Sequence, residues 1–191
     1  MIEEIERMVN ESVEAKQKML KMHKDTIAKI VEVMCNSIEN GGKVLWCGNG
    51  GSAADAQHLA CELVSKFYVD RKALASIALN TNTSILTAIA NDYDFERVFV
   101  RQVEALGKKG DVLVGISTSG NSKNVIAAMK KAREMGITTI GFTGETGGAM
   151  KECVDILLNV PSKDTPRIQE AHITAGHIIC YLIEKRFAGM S

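Results

Sequence analysis

The sequence carries no surplus of charge, since 23 Lys and Arg balance 23 Asp and Glu. No global basic field therefore draws it toward nucleic acid or an anionic membrane surface, and any anion site has to be local. Paired cysteines are also missing. Cys35, Cys47, Cys61, Cys153 and Cys180 are scattered, odd in number and never spaced Cys-x-x-Cys, which argues against a disulfide framework or a zinc knuckle. They read as small buried hydrophobes. No apolar run approaches membrane-spanning length. The opening Met1-Ile2-Glu3-Glu4-Ile5-Glu6-Arg7 is acidic and amphipathic rather than basic then apolar, so no signal peptide is expected and a cytoplasmic location is. Internal repeats, linkers and low-complexity segments are absent too. The 191 residues suit one domain that buries its core without disulfides or a structural metal.

What is present is a regular alternation. Apolar residues recur at helical spacing from Ile2 to about Met22 and again from Asp25 to Glu39, which predicts two helices, the second capped by Asp25. Asn40-Gly41-Gly42 ends the second. Short apolar runs then predict strands at 44–47, 74–79, 111–116, 138–142 and 155–158. Helical stretches between them cover 53–66, 84–91, 95–106, 123–135 and a short 147–152. Short apolar strands separated by helices imply right-handed parallel crossovers, hence an α/β three-layer sandwich on a five-stranded parallel sheet. A last helix should start with Thr165 as N-cap and Pro166 at the first helical position. From Ala171 to Ile183 it carries no formal charge, so burial on more than one face is expected. Together with the helical residues 1–40, that suggests an oligomer.

Two turns draw attention. Gly48-Asn49-Gly50-Gly51-Ser52 follows the first strand and opens a helix carrying His58 and Glu62. Unpaired amides and the helix dipole point at such a turn, and residues at i and i+4 share a face. A phosphate and a proton-transferring pair can thus meet within one small ligand's length. The turn also fits Gly-x-Gly-x-x-Ala through Gly48, Gly50 and Ala53, yet the next strand ends Ala78-Leu79-Asn80, without the acidic residue a dinucleotide ribose requires. The second turn, Gly115-Ile116-Ser117-Thr118-Ser119-Gly120-Asn121-Ser122, offers four hydroxyls beside a helix N-terminus, enough to wrap a phosphate dianion without lysine. Its plainer account is a cap by Ser122. It lacks the Gly-Lys-Ser/Thr ending of a nucleotide triphosphate loop.

Other candidates are open on local grounds. His58 and Glu62 are equally consistent with an exposed ion pair of little worth, and Cys61 reads as core rather than nucleophile. In the last helix Gln169, Glu170, His172 and His177 are polar. Gln169 and His177 are about 80° and about 12 Å apart, and His177 alone would read as a satisfied core histidine. Asp92 suits either a helix end or a sugar hydroxyl. Lys66 is either a dipole partner at its helix end or an anion contact.

Taken together, Cys-Gly-Asn-Gly-Gly-Ser at 47–52, His58-x-x-x-Glu62, Ala90-Asn91-Asp92, Gly-Ile-Ser-Thr-Ser-Gly-Asn-Ser at 115–122, and Arg167-Ile168-Gln169-Glu170 with His172 and His177 closely resemble the phosphoheptose isomerase family of the sugar isomerase (SIS) fold. The resemblance runs over nearly the whole chain, in order. It implies conversion of sedoheptulose 7-phosphate to D-glycero-D-manno-heptose 7-phosphate, the entry to activated heptose for surface glycans such as lipopolysaccharide, and a homotetramer with sites between subunits. Carried over residue by residue, Glu62 matches the catalytic base and His177 the acid. Asn49, Gly50, Gly51, Ser52, Asp92, Ser117, Thr118, Ser119, Ser122 and Gln169 match substrate contacts, with Glu62 among them. Some members hold Zn2+ between His58, Glu62, Gln169 and His177, and all four are present. A metal on Glu62 would lower the pKa of that base.

Two positions depart from the pattern. Lys66 stands where many members have arginine, keeping the charge without the bidentate fork, and Pro166 stands where alanine is usual. The alternative is a noncatalytic SIS relative that binds the bacterial replication initiator and lacks a carboxylate at the position of Glu62. A sugar-phosphate-sensing regulator would add a DNA-binding segment for which the two expected N-terminal helices leave no room.

Overall fold

The computed structural model describes residues 1–189. Its first element is one helix, α1 (Ile2–Glu39), not the two expected, and Asp25 lies inside it rather than at a cap. The reason is continuity of the buried stripe: Ala15, Met19, His23, Ile27, Ile30 and Met34 recur every three or four residues, and no Gly or Pro interrupts them. There follow β1 (Val44–Gly48), α2 (Gly51–Val64), β2 (Ser76–Ala78), α3 (Thr83–Asp92), α4 (Val100–Leu106), β3 (Val112–Ile116), α5 (Lys123–Glu134), β4 (Thr138–Thr143), β5 (Ile156–Asn159) and α6 (Thr165–Phe187). Short 3-10 turns occupy Phe95–Arg97 and Gly148–Glu152, where helix was expected. The Asp94 side chain accepts from the Arg97 amide at 3.0 Å and caps the first of these, so the expected 95–106 helix is broken ahead of α4.

All five strands are parallel, in the order β2-β1-β3-β4-β5. Alternation along each strand separates two apolar layers. Val44 and Trp46 of β1, with Val112, Val114 and Ile116 of β3, pack under α1, α2 and α6. Leu45, Cys47 and Leu113 face Val103, Val125 and Met129 of α4 and α5. This is the three-layer α/β sandwich that the alternation predicts. Strand β2 is shorter than expected because the Leu74 amide bonds to the Leu63 carbonyl at 3.1 Å instead of joining the sheet.

The end of the sheet remote from the strand C-termini is pinned by Asp111. Its fully buried carboxylate accepts the amides of Lys43 and Lys108 at 3.0 and 2.9 Å and the Lys43 ammonium at 2.6 Å. At the opposite end, the strand order changes direction between β1 and β3. In open parallel sheets such a switch point leaves a crevice beyond the carboxyl ends of the two strands, and both turns singled out above lie there.

Helix α6 starts at Thr165, one residue earlier than expected, with Asp164 rather than Thr165 as N-cap and Pro166 in the first turn. It buries one broad face, Ile168, Ala171, His172, Ala175, Gly176, Ile179, Cys180 and Ile183 among it, against α1 and α2. Ile178 and Tyr181 remain exposed, so within one chain the uncharged stretch is not buried all round. Cys61 is likewise exposed, unlike the other four cysteines. Its position on α2 falls between the core-facing Ala60 and Leu63 and turns it outward.

Candidate active site

The first turn is built by backbone approach. Gly50 adopts φ +56°, a left-handed conformation that lets β1 turn sharply into α2. Gly51 lets Gln169 approach closely, since a Cβ there would meet the Gln169 amide nitrogen at 2.5 Å and push that side chain aside. The last helix thus lays Gln169 on the first turn. Ser52 is buried. Asn49 and Asn124 exchange two hydrogen bonds of 2.9 Å, tying this turn to the start of α5, while Asn80 donates to the Gly48 carbonyl at 2.6 Å.

The serine turn stands beside it, after β3. Gly120 takes φ +66° and packs directly on the backbone of Gly147 and Gly148. Ser122 occupies the N-cap position of α5, yet its side chain makes no cap hydrogen bond. Its hydroxyl lies 2.9 Å from that of Ser117 instead, so the plain capping account fails. Ser119 is exposed and accepts from the Asn121 amide at 3.1 Å, and Thr118 is half-buried. The hydroxyls surround the α5 N-terminus, whose first amides have no intrahelical partner. A cavity of about 420 Å³ opens here, lined by Asn49, Phe95, Glu96, Ser122, Lys123 and Asn124.

About two and three turns along α2 from Gly51, the polar pair meets α6. Gly176 permits the approach, since a Cβ there would reach Leu59 at 2.5 Å, and its neighbour His177 falls against the residue before Leu59. His58 Nε2 lies 3.4 Å from Glu62 Oε1 and 2.8 Å from His177 Nε2. Glu62, His58 and His177 therefore form a row within one chain. Glu62 is four-fifths buried at its side chain, at 18 % exposure, and His58 is 48 % exposed. The Phe67 ring sits 5.7 Å from that of His177. Beside His177 a second cavity of about 590 Å³ opens between Phe67, Tyr68, Ile178 and Tyr181.

Among the described residues, no three His, Cys, Asp or Glu side chains form a ready-made metal cluster. The chemistry of two imidazoles and a carboxylate nevertheless suits zinc, while the Gln169 amide, the fourth expected ligand, lies against Gly51 rather than in this row. Asp55, one turn before His58, has a buried carboxylate oxygen without a partner. Burial pushes its pKa up and His58 partly opposes that.

Other candidates lie apart. Asp92 is exposed at the end of α3, where it accepts from Asn91 at 2.9 Å. Lys66 is exposed beyond α2. Glu170 takes Arg167 at 2.7 Å, and His172 is fully buried, with Nε2 3.0 Å from the Thr143 carbonyl. Burial pushes His172 down to about 4 against that hydrogen bond. Sequence reasoning missed Asn124, Arg71 and Glu184. A signal existed for two of them: Asn124 and Glu184 occupy buried positions on the apolar faces of α5 and α6, where an unpaired polar residue is costly.

Residues 8–144 match the SIS domain family. Phosphoheptose isomerase of Clostridium acetobutylicum is 58% identical over 187 residues, covering 97% of this chain and 95% of that protein. Among solved structures, the Neisseria gonorrhoeae phosphoheptose isomerase is similar with a TM-score of 0.91 at 48% identity, covering 96% of this chain and 98% of that one. The Francisella tularensis phosphoheptose isomerase gives 0.93 at 37% identity with the same coverage of both.

Proposed function

The chain belongs to the phosphoheptose isomerases of the SIS family and is an isomerase of a phosphorylated seven-carbon sugar, and we propose that Glu62 and His177 perform its proton transfers. The row Glu62, His58, His177, on the helix that leaves the first of the two switch-point turns, is the observation that carries this reading. In sedoheptulose 7-phosphate, the Glu62 carboxylate removes a proton from C1 while His177 gives one to O2, leaving a cis-enediol. Glu62 then returns its proton to C2 as His177 takes the proton of O1, and the aldose D-glycero-D-manno-heptose 7-phosphate results. One carboxylate serves both carbons because they are adjacent.

Ser117, Thr118, Ser119 and Ser122 hold the phosphate at the α5 N-terminus, and Asn49, Gly50, Gly51, Ser52 and Gln169 hold the sugar; Asp92, which lies apart within one chain, would reach a sugar only across a subunit interface. A zinc ion would sit between His58, Glu62, Gln169 and His177, and when bound it supplies Lewis-acid polarisation of the sugar oxygens. A homotetramer using α1 accounts for Ile2, Ile5, Val9 and Val13, which are exposed along that helix; so large an apolar display favours a partner surface. Among the described residues, no helix is long and apolar enough to cross a membrane. The initiator-binding alternative finds no support, since Glu62 is in place and the relatives above are isomerases.

The test is a substrate pair. Sedoheptulose 7-phosphate should turn over and free sedoheptulose should not; equal turnover of both would remove the phosphate role of the serine turn.

A further inference from the structure

The segment between α2 and β2 has little regular structure of its own, yet three of its consecutive backbone amides converge on one side chain. Phe67, Tyr68 and Val69 donate to the Glu184 carboxylate at 2.7, 2.6 and 3.2 Å. Glu184 belongs to α6 and is fully buried. Arg71, whose side chain is only 2 % exposed, brings Nε to 3.3 Å from the same carboxylate. Its Nη atoms donate to the carbonyls of Glu62 and Leu63 at 2.8 and 2.9 Å. Helix α2 has no basic residue in its last turn, so Arg71 supplies the C-terminal partner from outside.

From this we propose that Glu184 is a positioning residue for the isomerisation, holding the 67–71 strap so that it fixes the C-terminal turn of α2, which carries Glu62, and the face of His177. The inference rests on the roles given above to Glu62 and His177. The linkage is physical at each step. Arg71 grips the Glu62 backbone, and the strap lays the Phe67 ring against His177 and the Tyr68 ring against Tyr181 at 5.6 Å. Both ends return to α6, seven residues apart at His177 and Glu184. A buried carboxylate with this many donors is kept ionised: burial pushes Glu184 up, but the three amides and Arg71 outweigh it and hold it below the ordinary value. Small misplacements of reacting groups cost much rate, which gives a clamp remote from the chemistry its leverage. Touching none of the phosphate contacts, it should act on turnover rather than substrate affinity.

Full-length Glu184→Gln tests this, because glutamine keeps the shape but removes the charge and points an amide at backbone donors. The expected result is kcat lowered about tenfold or more with KM within about threefold. Hydrogen exchange should quicken at residues 67–69 while the sheet stays protected. Losing the charge beside Arg71 can prevent folding, and Phe67→Leu then decides, since it keeps every backbone bond to Glu184 and removes only the ring beside His177. It should lower kcat about threefold or more at unchanged KM. Folded Glu184→Gln with wild-type kcat, or Phe67→Leu with wild-type kcat, overturns the proposal. Glu62→Gln run alongside separates the two readings: if it still turns over, the catalytic assignment fails, and if it is dead while the clamp variants are fully active, only the positioning role fails.

Discussion

His58 Nε2 and His177 Nε2 stand 2.8 Å apart although 119 residues separate them in sequence. At that distance only one ring nitrogen can carry a proton toward the other, so the pair either shares a single hydrogen or receives a cation in its place. Their convergence with Glu62 turns two helix faces into one site.

The zinc site proposed above has its own test. Protein purified without chelator should contain about one zinc per chain by elemental analysis, and His58→Ala should lose it while remaining folded. Metal-free protein after careful handling in zinc-supplied medium would count against the His58, Glu62, Gln169 and His177 set.

The serine turn should behave as a phosphate cradle. Removing one hydroxyl that bonds a dianion costs about 1.5–3 kcal/mol, so Ser119→Ala should raise KM for the sugar phosphate roughly tenfold or more. Inorganic phosphate should also weaken as an inhibitor. Unchanged values for both would leave the exposed Ser119 with its local turn only.

Asp111 carries a structural expectation away from the site. Its buried carboxylate joins Lys43 and Lys108, and breaking a buried pair costs about 3–5 kcal/mol. Asp111→Ala should show that loss in urea unfolding, with turnover of the surviving folded protein preserved.

Stability should fall with acidity through His172. Burial holds its folded-state value near 4 against an ordinary 6.5. Below about pH 6.5 the unfolded chain gains a proton that the native chain refuses until about pH 4. The native state therefore loses stability across that window, by about 3 kcal/mol at most. His172→Gln should flatten this part of the pH profile of unfolding; an unchanged slope would assign it to other groups.

Much of this was legible in sequence because it depends on local pattern. Short apolar strands, glycine turns and an i, i+4 pair are all near-neighbour signals, and they give the sheet, the two turns and the His58 and Glu62 face. The unbroken α1 shows the converse: Asp25, a charged residue on an outer face, has the local look of a cap, while the buried stripe through His23 and Ile27 continues past it. Joining His177 to His58, or Glu184 to residues 67–69, requires knowing how α6 crosses α2. That crossing depends on the close approach of Gly176 and Leu59, which no spacing along the chain reveals. A glutamate in an apolar stripe announces that a partner exists without saying which.

The most direct test is turnover of sedoheptulose 7-phosphate by the wild type and Glu62→Gln, both supplied with zinc and both shown to be folded. Loss of the base should lower kcat about 10³-fold against an active wild type. An inactive wild type, or Glu62→Gln turning over at the wild-type rate, would contradict the assignment of Glu62 as the group that moves the proton between C1 and C2.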